Sequence, residues 1–201
     1  RQTVLIKLNG GLGTGMGLEK AKSLLPVRGE DTFLDLIARQ VLRLRSQTGG
    51  EVPMFMVMNS FSTSEDTAAH LQSRFPQLGS PEAWELMQNK VPKVLADTLE
   101  PADWPSNPEQ EWCPPGHGDI YACLAGSGWL ERLLGSGIRY AFVSNSDNLG
   151  ATLDPAILAW FANSGMPFAM EVTRRTESDK KGGHLAVRLN DGRFLLRESA
   201  Q

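Results

Sequence analysis

The stretch that most constrains the fold runs from Val4 to Ser23, V-L-I-K-L-N-G-G-L-G-T-G-M-G-L-E-K-A-K-S, an apolar segment leading directly into a glycine loop that closes on a lysine. Glycine lets a backbone adopt positive φ and lets a ligand approach without a Cβ in the way, and successive N–H groups in such a loop can face phosphate or base edges. Lys22 adds a point charge suited to phosphate. A flexible linker is the ordinary reading of an isolated glycine run, but here a strand candidate precedes the loop and a helix candidate follows it. The spacing excludes two common phosphate loops. G-x-G-x-x-G fails because Met16 follows Gly11 and Gly13 where a glycine is needed, and G-x-x-x-x-G-K-S fails because Met16 and Ala21 occupy its glycine positions.

Apolar runs alternate with helical periodicity along the whole chain, which predicts an α/β domain with a doubly wound, mostly parallel sheet and helices on both faces. The expected strands are Thr3 to Leu8, Pro53 to Asn59, Tyr140 to Asn145 in the sheet centre, and Phe168 to Thr173, with short candidates at Trp84 to Gln88 and Val91 to Leu95. A helix is expected from Asp31 to Arg45, its apolar positions Phe33, Leu36, Ile37, Val41 and Leu44 recurring at helical spacing before Gly49-Gly50. Thr63 and Ser64 can cap a second helix ending near Phe75-Pro76, Asp119 can cap a third running to Leu134, and Asp154-Pro155 opens a fourth through Phe161. Leu185 to Leu189 and Phe194 to Leu196, joined by Asn190-Asp191-Gly192, read as a hairpin. Residues 101–116 hold five prolines and read as an irregular excursion.

Ligands of open α/β sheets sit at the carboxyl ends of the strands, which is where the unusual residues fall. Asn9-Gly10-Gly11 follows the first strand, and Asn145-Ser146-Asp147 follows Tyr140 to Ser144. Asp147 is placed either to hold Mg²⁺ against phosphate oxygens or simply to make a turn. His117, between two glycines, is presented from a tight turn, and no second histidine or cysteine stands at a zinc-like spacing. A net charge of −3 gives no electrostatic reason to expect nucleic acid or an anionic membrane. No segment has the length of a transmembrane helix. Cys113 and Cys123 have neither C-x-x-C spacing nor scaffold density, so a reducing cytoplasm is the expected home.

The loop resembles that of the UTP:glucose-1-phosphate uridylyltransferase family, L-N-G-G-L-G-T-x-M-G followed by a lysine. The likeness continues in order through Thr32 to Leu36, Met58 to Phe61, Met87 to Pro92, Pro114 to Tyr121, Val143 to Ala151, Glu171 to Thr173 and Lys181 to Gly183. One departure is Lys20-Ala21, where family members carry Gly-Pro before the lysine. The resemblance implies a Rossmann-like nucleotidyltransferase that uses Mg²⁺ to transfer the uridylyl group of UTP to glucose 1-phosphate. It implies Lys22 as the catalytic group, substrate contacts from Leu8, Asn9, Gly10, Gly11, Gln88, Gly116, His117, Asn145, Ser146, Asp147 and Gly183, and Asp147 as the metal ligand. Gln88, which by itself reads as a surface residue, then offers its amide to uracil, and Glu198 could accept a sugar hydroxyl. The family continues into a second phosphate-binding lysine and a C-terminal β-helical domain, so the resemblance implies that this chain is the front part of a catalytic domain. Two alternatives are a UDP-N-acetylhexosamine pyrophosphorylase, whose loop carries arginine where this chain has Gly15, and a nucleotide-binding module without turnover.

Overall fold

The computed structural model describes residues 2–12, 20–50, 53–174, 176–177 and 183–197. In chain order the strands and helices are β1 (Thr3–Asn9), β2 (Pro26–Arg28), β3 (Asp31–Thr32), α1 (Phe33–Thr48), β4 (Met54–Asn59), α2 (Ser64–Arg74), α3 (Pro81–Trp84), β5 (Glu85–Met87), β6 (Val91–Pro92), β7 (Trp112–Cys113), α4 (Ile120–Gly126), α5 (Trp129–Gly135), β8 (Tyr140–Asn145), α6 (Pro155–Ser164), β9 (His184–Val187) and β10 (Phe194–Arg197). They form two compact units, Arg1–Trp160 and Phe161–Gln201.

The first unit is built on a four-stranded parallel sheet in the order β5-β4-β1-β8. Period-two alternation decides which side each residue serves. Leu5 on β1 with Phe55 and Val57 on β4 packs with Leu34, Ile37 and Val41 of α1 and Leu71 of α2. Val4, Ile6, Met56 and Met58 point the other way, to Ile120 and Cys123 of α4 and Trp129 and Leu133 of α5. Both faces are therefore covered, the arrangement that parallel strands require.

Local chemistry explains the helix limits. Thr32 Oγ1 accepts from the Asp35 N–H while Asp35 accepts from the Thr32 N–H, a reciprocal capping box that starts α1, and Gly49 in the left-handed conformation (φ 80°) ends it. At α6, Asp154 Oδ1 accepts from the N–H groups of Ala156 (2.7 Å) and Ile157 (3.3 Å), as a cap ahead of a first-turn proline should.

Three expectations in this unit change. The helix from Asp119 to Leu134 is two helices, α4 and α5, because Gly128 takes φ 78° and breaks the run. Asp119 makes no capping bond to α4, and Thr63 makes none to α2; the Thr63 hydroxyl instead accepts from the Ser60 N–H at 3.0 Å. The small β2/β3 pair was not legible in the sequence pattern, its strands being only three and two residues long.

In the second unit β9 and β10 form the expected antiparallel hairpin, pairing Val187 with Phe194 and His184 with Arg197, around a turn in which Gly192 has φ 70°. Phe168 to Thr173 is not a strand: no described segment supplies the ladder that would make it one. Among the described residues no helix is long and apolar enough to cross a membrane.

Candidate active site

Parallel strands bring their carboxyl ends to one edge, and here that edge is polar. Asn9 and Asn59 are register partners on β1 and β4, both buried. A buried carboxamide must have its donors and acceptor met. Asn9 Nδ2 donates to Asn59 Oδ1 (2.8 Å) and Thr67 Oγ1 (2.9 Å), and Asn9 Oδ1 accepts from Ser146 Oγ (2.8 Å). Asn59 Nδ2 donates to Glu85 Oε1 (2.7 Å), which also accepts from Ser64 Oγ (2.7 Å). The Ser146 N–H donates to the Leu8 carbonyl (3.0 Å), so the turn after β8 is pinned to the end of β1. The Asn9 side chain is thus wholly engaged within the protein, and what it offers a substrate is the placement of its neighbours.

Gly10 follows immediately, and a Cβ there would collide with Gln88 Oε1. Gln88 is buried; its N–H donates to the Asn59 carbonyl (2.7 Å) and its Nε2 to the Gly116 carbonyl (2.6 Å). Its Oε1 is buried with no hydrogen-bond partner. An orphaned buried acceptor costs about 1–3 kcal/mol, and a ligand N–H would remove that cost. Gly116 reaches this position at φ 106° and leads into the 3-10 turn His117–Asp119, which leaves His117 exposed. A cleft of about 770 Å³ is lined by Gly10, Gly11, Gln88, Trp112, Gly116 and His117.

Asp119, which the sequence reading placed as a helix cap, holds this corner together. Its carboxylate accepts from the N–H (2.8 Å) and Nδ2 (3.0 Å) of Asn89 and from Cys123 Sγ (2.9 Å). Burial raises the Asp119 pKa, but bonds from Asn89 and Cys123 outweigh it and hold the carboxyl below its usual range. Burial, and then the Asp119 carboxylate, push the Cys123 thiol up to about 11, which removes it as a nucleophile at neutral pH.

Leu12 also lines the cleft and pairs antiparallel with Ala21, which is followed by the half-buried Lys22. Residues 13–19 of the glycine loop, Gly182 and Glu198 lie outside the described residues. On β8, Asn145 is the register partner of Leu8, and both it and Asp147 are exposed. No group of three or more His, Cys, Asp or Glu side chains gathers as a metal site among the described residues. Mg²⁺ usually takes one or two carboxylates with substrate phosphates and water, so a single exposed carboxylate at a strand end fits that ion and does not fit zinc. Gly183 belongs to the second unit, where a Cβ would press to 2.9 Å of Leu196 Cδ1 and 3.1 Å of the Arg197 carbonyl; the close approach of β10 accounts for glycine there.

The sequence reading missed a buried lysine. Lys7, inside a strand that otherwise reads as apolar, donates to Ser144 Oγ (2.7 Å) and the Ala151 carbonyl (3.0 Å), and burial lowers its pKa to about 8. It holds the segment beyond Asp147 against β8. Only the charge in V-L-I-K-L marked it.

A doubly wound α/β domain with a glycine-lined cleft at the carboxyl ends of its strands defines a nucleotide-binding class of protein. Comparison narrows it. A family model described as UTP--glucose-1-phosphate uridylyltransferase matches residues 1–201, and the chain belongs to that family. It is 42% identical to the UTP--glucose-1-phosphate uridylyltransferase of Saccharomyces cerevisiae over 98% of its own length and 39% of that protein's. A crystal structure of a mutant UDP-glucose pyrophosphorylase from Leishmania major in complex with UDP-glucose matches with a TM-score of 0.89 and 55% identity, covering 100% of this chain and 44% of that one. A UDP-glucose phosphorylase structure from Trypanosoma brucei matches with a TM-score of 0.94 and 53% identity, covering 100% and 43%. The chain thus spans about two fifths of the length of these relatives.

Proposed function

We propose that the protein carrying this chain transfers the uridylyl group of UTP to glucose 1-phosphate, releasing pyrophosphate and forming UDP-glucose. The observation that carries the reading is the Gln88 amide seated on bare Gly10 with its Oε1 unpartnered, in a chain of this family. Uracil presents the N–H that this acceptor lacks, while cytosine has no hydrogen at the same ring position.

In the reaction a phosphate oxygen of glucose 1-phosphate attacks the α-phosphorus of UTP in line. A new P–O bond forms as the bond between the α-phosphorus and the bridging oxygen breaks, and the bond electrons leave with pyrophosphate. No covalent enzyme intermediate is needed, so the residues work by placement and charge. Leu8, Gly10, Gly11 and Gln88 receive the base, and Lys22 neutralises charge on the transferring phosphate. Gly116 and His117 with Asn145 orient the sugar phosphate, and the Asn9–Ser146 bond (2.8 Å) keeps the turn of Asp147 in place. Asp147 would hold Mg²⁺, which would supply charge neutralisation on the triphosphate. Two free cysteines agree with a cytoplasmic setting.

The test is pyrophosphate release by the complete gene product with Mg²⁺, UTP and glucose 1-phosphate, set against ATP, GTP and N-acetylglucosamine 1-phosphate. Release selective for UTP with glucose 1-phosphate is expected. Preference for the N-acetylated sugar would change the acceptor, and UTP binding without release would make the chain a nucleotide-binding module.

A further inference from the structure

The polar side chains at the carboxyl edge of the sheet run in one hydrogen-bond direction. Ser146 donates to Asn9, Asn9 to Asn59, and Asn59 to Glu85, at 2.8, 2.8 and 2.7 Å. A carboxylate only accepts, so Asn59 cannot turn its amide round without setting oxygen against oxygen. With Asn59 Oδ1 facing β1, Asn9 must present Nδ2 to it and Oδ1 to Ser146. The Ser146 hydroxyl can meet that carbonyl only by donating its O–H to it. Since the Ser146 N–H is also taken, by the Leu8 carbonyl, Ser146 has no donor left for a phosphate. Asn59 further accepts from the Gln88 N–H, so one residue holds both the uracil-facing amide and the path to the turn of Asp147.

We propose that Glu85 is a positioning residue for the transfer: it fixes the polarity of a buried amide chain through Asn59 and Asn9 that holds the Ser146 hydroxyl proton inward, so Ser146 meets substrate only as an acceptor and the Asn145–Asp147 turn is set in one place. This rests on the uridylyl-transfer reading. It separates Glu85, whose carboxylate is engaged by Asn59 and Ser64, from the residues assigned to touch substrate.

The polarity can be inverted at one point and restored at another. Asn59→Asp sets a carboxylate against Glu85. In Asn59→Asp with Glu85→Gln, the new amide donates to the new carboxylate, which still accepts from Asn9. Partners behind a ligating group are typically worth about 10–100-fold in activity. In the complete gene product, Asn59→Asp should therefore lower kcat/KM for UTP by about that factor, and the double variant should return to within about threefold of wild type. A role in stability alone gives no such rescue: a folded double variant as impaired as Asn59→Asp overturns the proposal, and so does a fully active Asn59→Asp. If Asn59→Asp does not fold, the folded double variant decides by being active or inactive. Side-chain amide hydrogen exchange on the ligand-free protein supplies the independent arm. The Asn9 amide hydrogens should exchange slowly in the wild type and the double variant, and fast exchange in the wild type overturns the chain whatever the activity. Absence of turnover in a wild type with slow exchange would instead overturn the reaction assigned above.

Discussion

The carboxamide of Gln88 occupies the space where a side chain at Gly10 would begin. Gly10 and Gln88, 78 positions apart, therefore constrain each other: Gln88 is held by the Gly116 carbonyl at 2.6 Å and cannot swing clear without losing that bond. Gly10→Ala should weaken UTP binding tenfold or more, because displacing the amide sacrifices about 1–3 kcal/mol of buried hydrogen bonding. Calorimetric titration with UTP checks it; an unchanged Kd would show that Gln88 relaxes freely.

Lys22→Ala should lower kcat far more than it weakens UTP binding, since a charge that neutralises the transferring phosphate acts most strongly in the transition state. Steady-state rates beside a direct Kd for UTP separate the two. Equal losses in both would make Lys22 a binding residue only.

The native pKa of Lys7, about 8, lies below its ordinary value of 10.5. Between those values the unfolded chain binds more protons than the native one, so this group makes stability rise with pH from about 8 to about 10.5, and its burial costs stability below that window. Lys7→Met should flatten that rise while loosening the Ala151 segment. Urea midpoints at pH 7, 8.5 and 10 for the two proteins give the comparison; parallel pH profiles would remove Lys7 as the source.

Asp35 behaves oppositely. Burial raises its pKa, yet bonds from Thr32 and His70 more than compensate and leave it below the usual carboxylate range, with Arg74 Nε at 2.7 Å. The stability it contributes is complete above the ordinary carboxylate pKa and drains away as pH falls towards the native value. Asp35→Asn should lower the melting temperature at pH 7 and narrow the gap to wild type as the solution is acidified below pH 4. A gap that stays constant with pH would assign the loss to capping geometry alone.

What the sequence pattern could and could not reveal follows from the range of the forces involved. β1, β4, β8 and α1 announce themselves because periodicity and capping act over a few neighbouring residues, and Thr32 with Asp35 completes a local motif. Asp119 looked like another such cap, but a stronger claim on its carboxylate came from Asn89, 30 positions away, through two hydrogen bonds. Phe168 to Thr173 has strand composition without a ladder partner among the described residues, and composition cannot supply a partner. Gln88 reads as a surface residue by itself because its burial depends on a missing Cβ at Gly10 and on the Gly116 carbonyl. Family resemblance pointed to it where propensity could not.

The strands of the parallel sheet end at positions 9, 59, 87 and 145, and the β1–β8 pairing joins residues some 137 apart. Such distant pairings are slow to close, since the loop entropy is lost before the contacts repay it. A nascent or partly unfolded chain consequently has Gly10 but not the Gln88 amide beside it, so the proposed nucleotide site is incomplete until the sheet closes. Ligand binding is then a report on completed topology: nucleotide added during refolding should leave the early steps untouched and trap only the last.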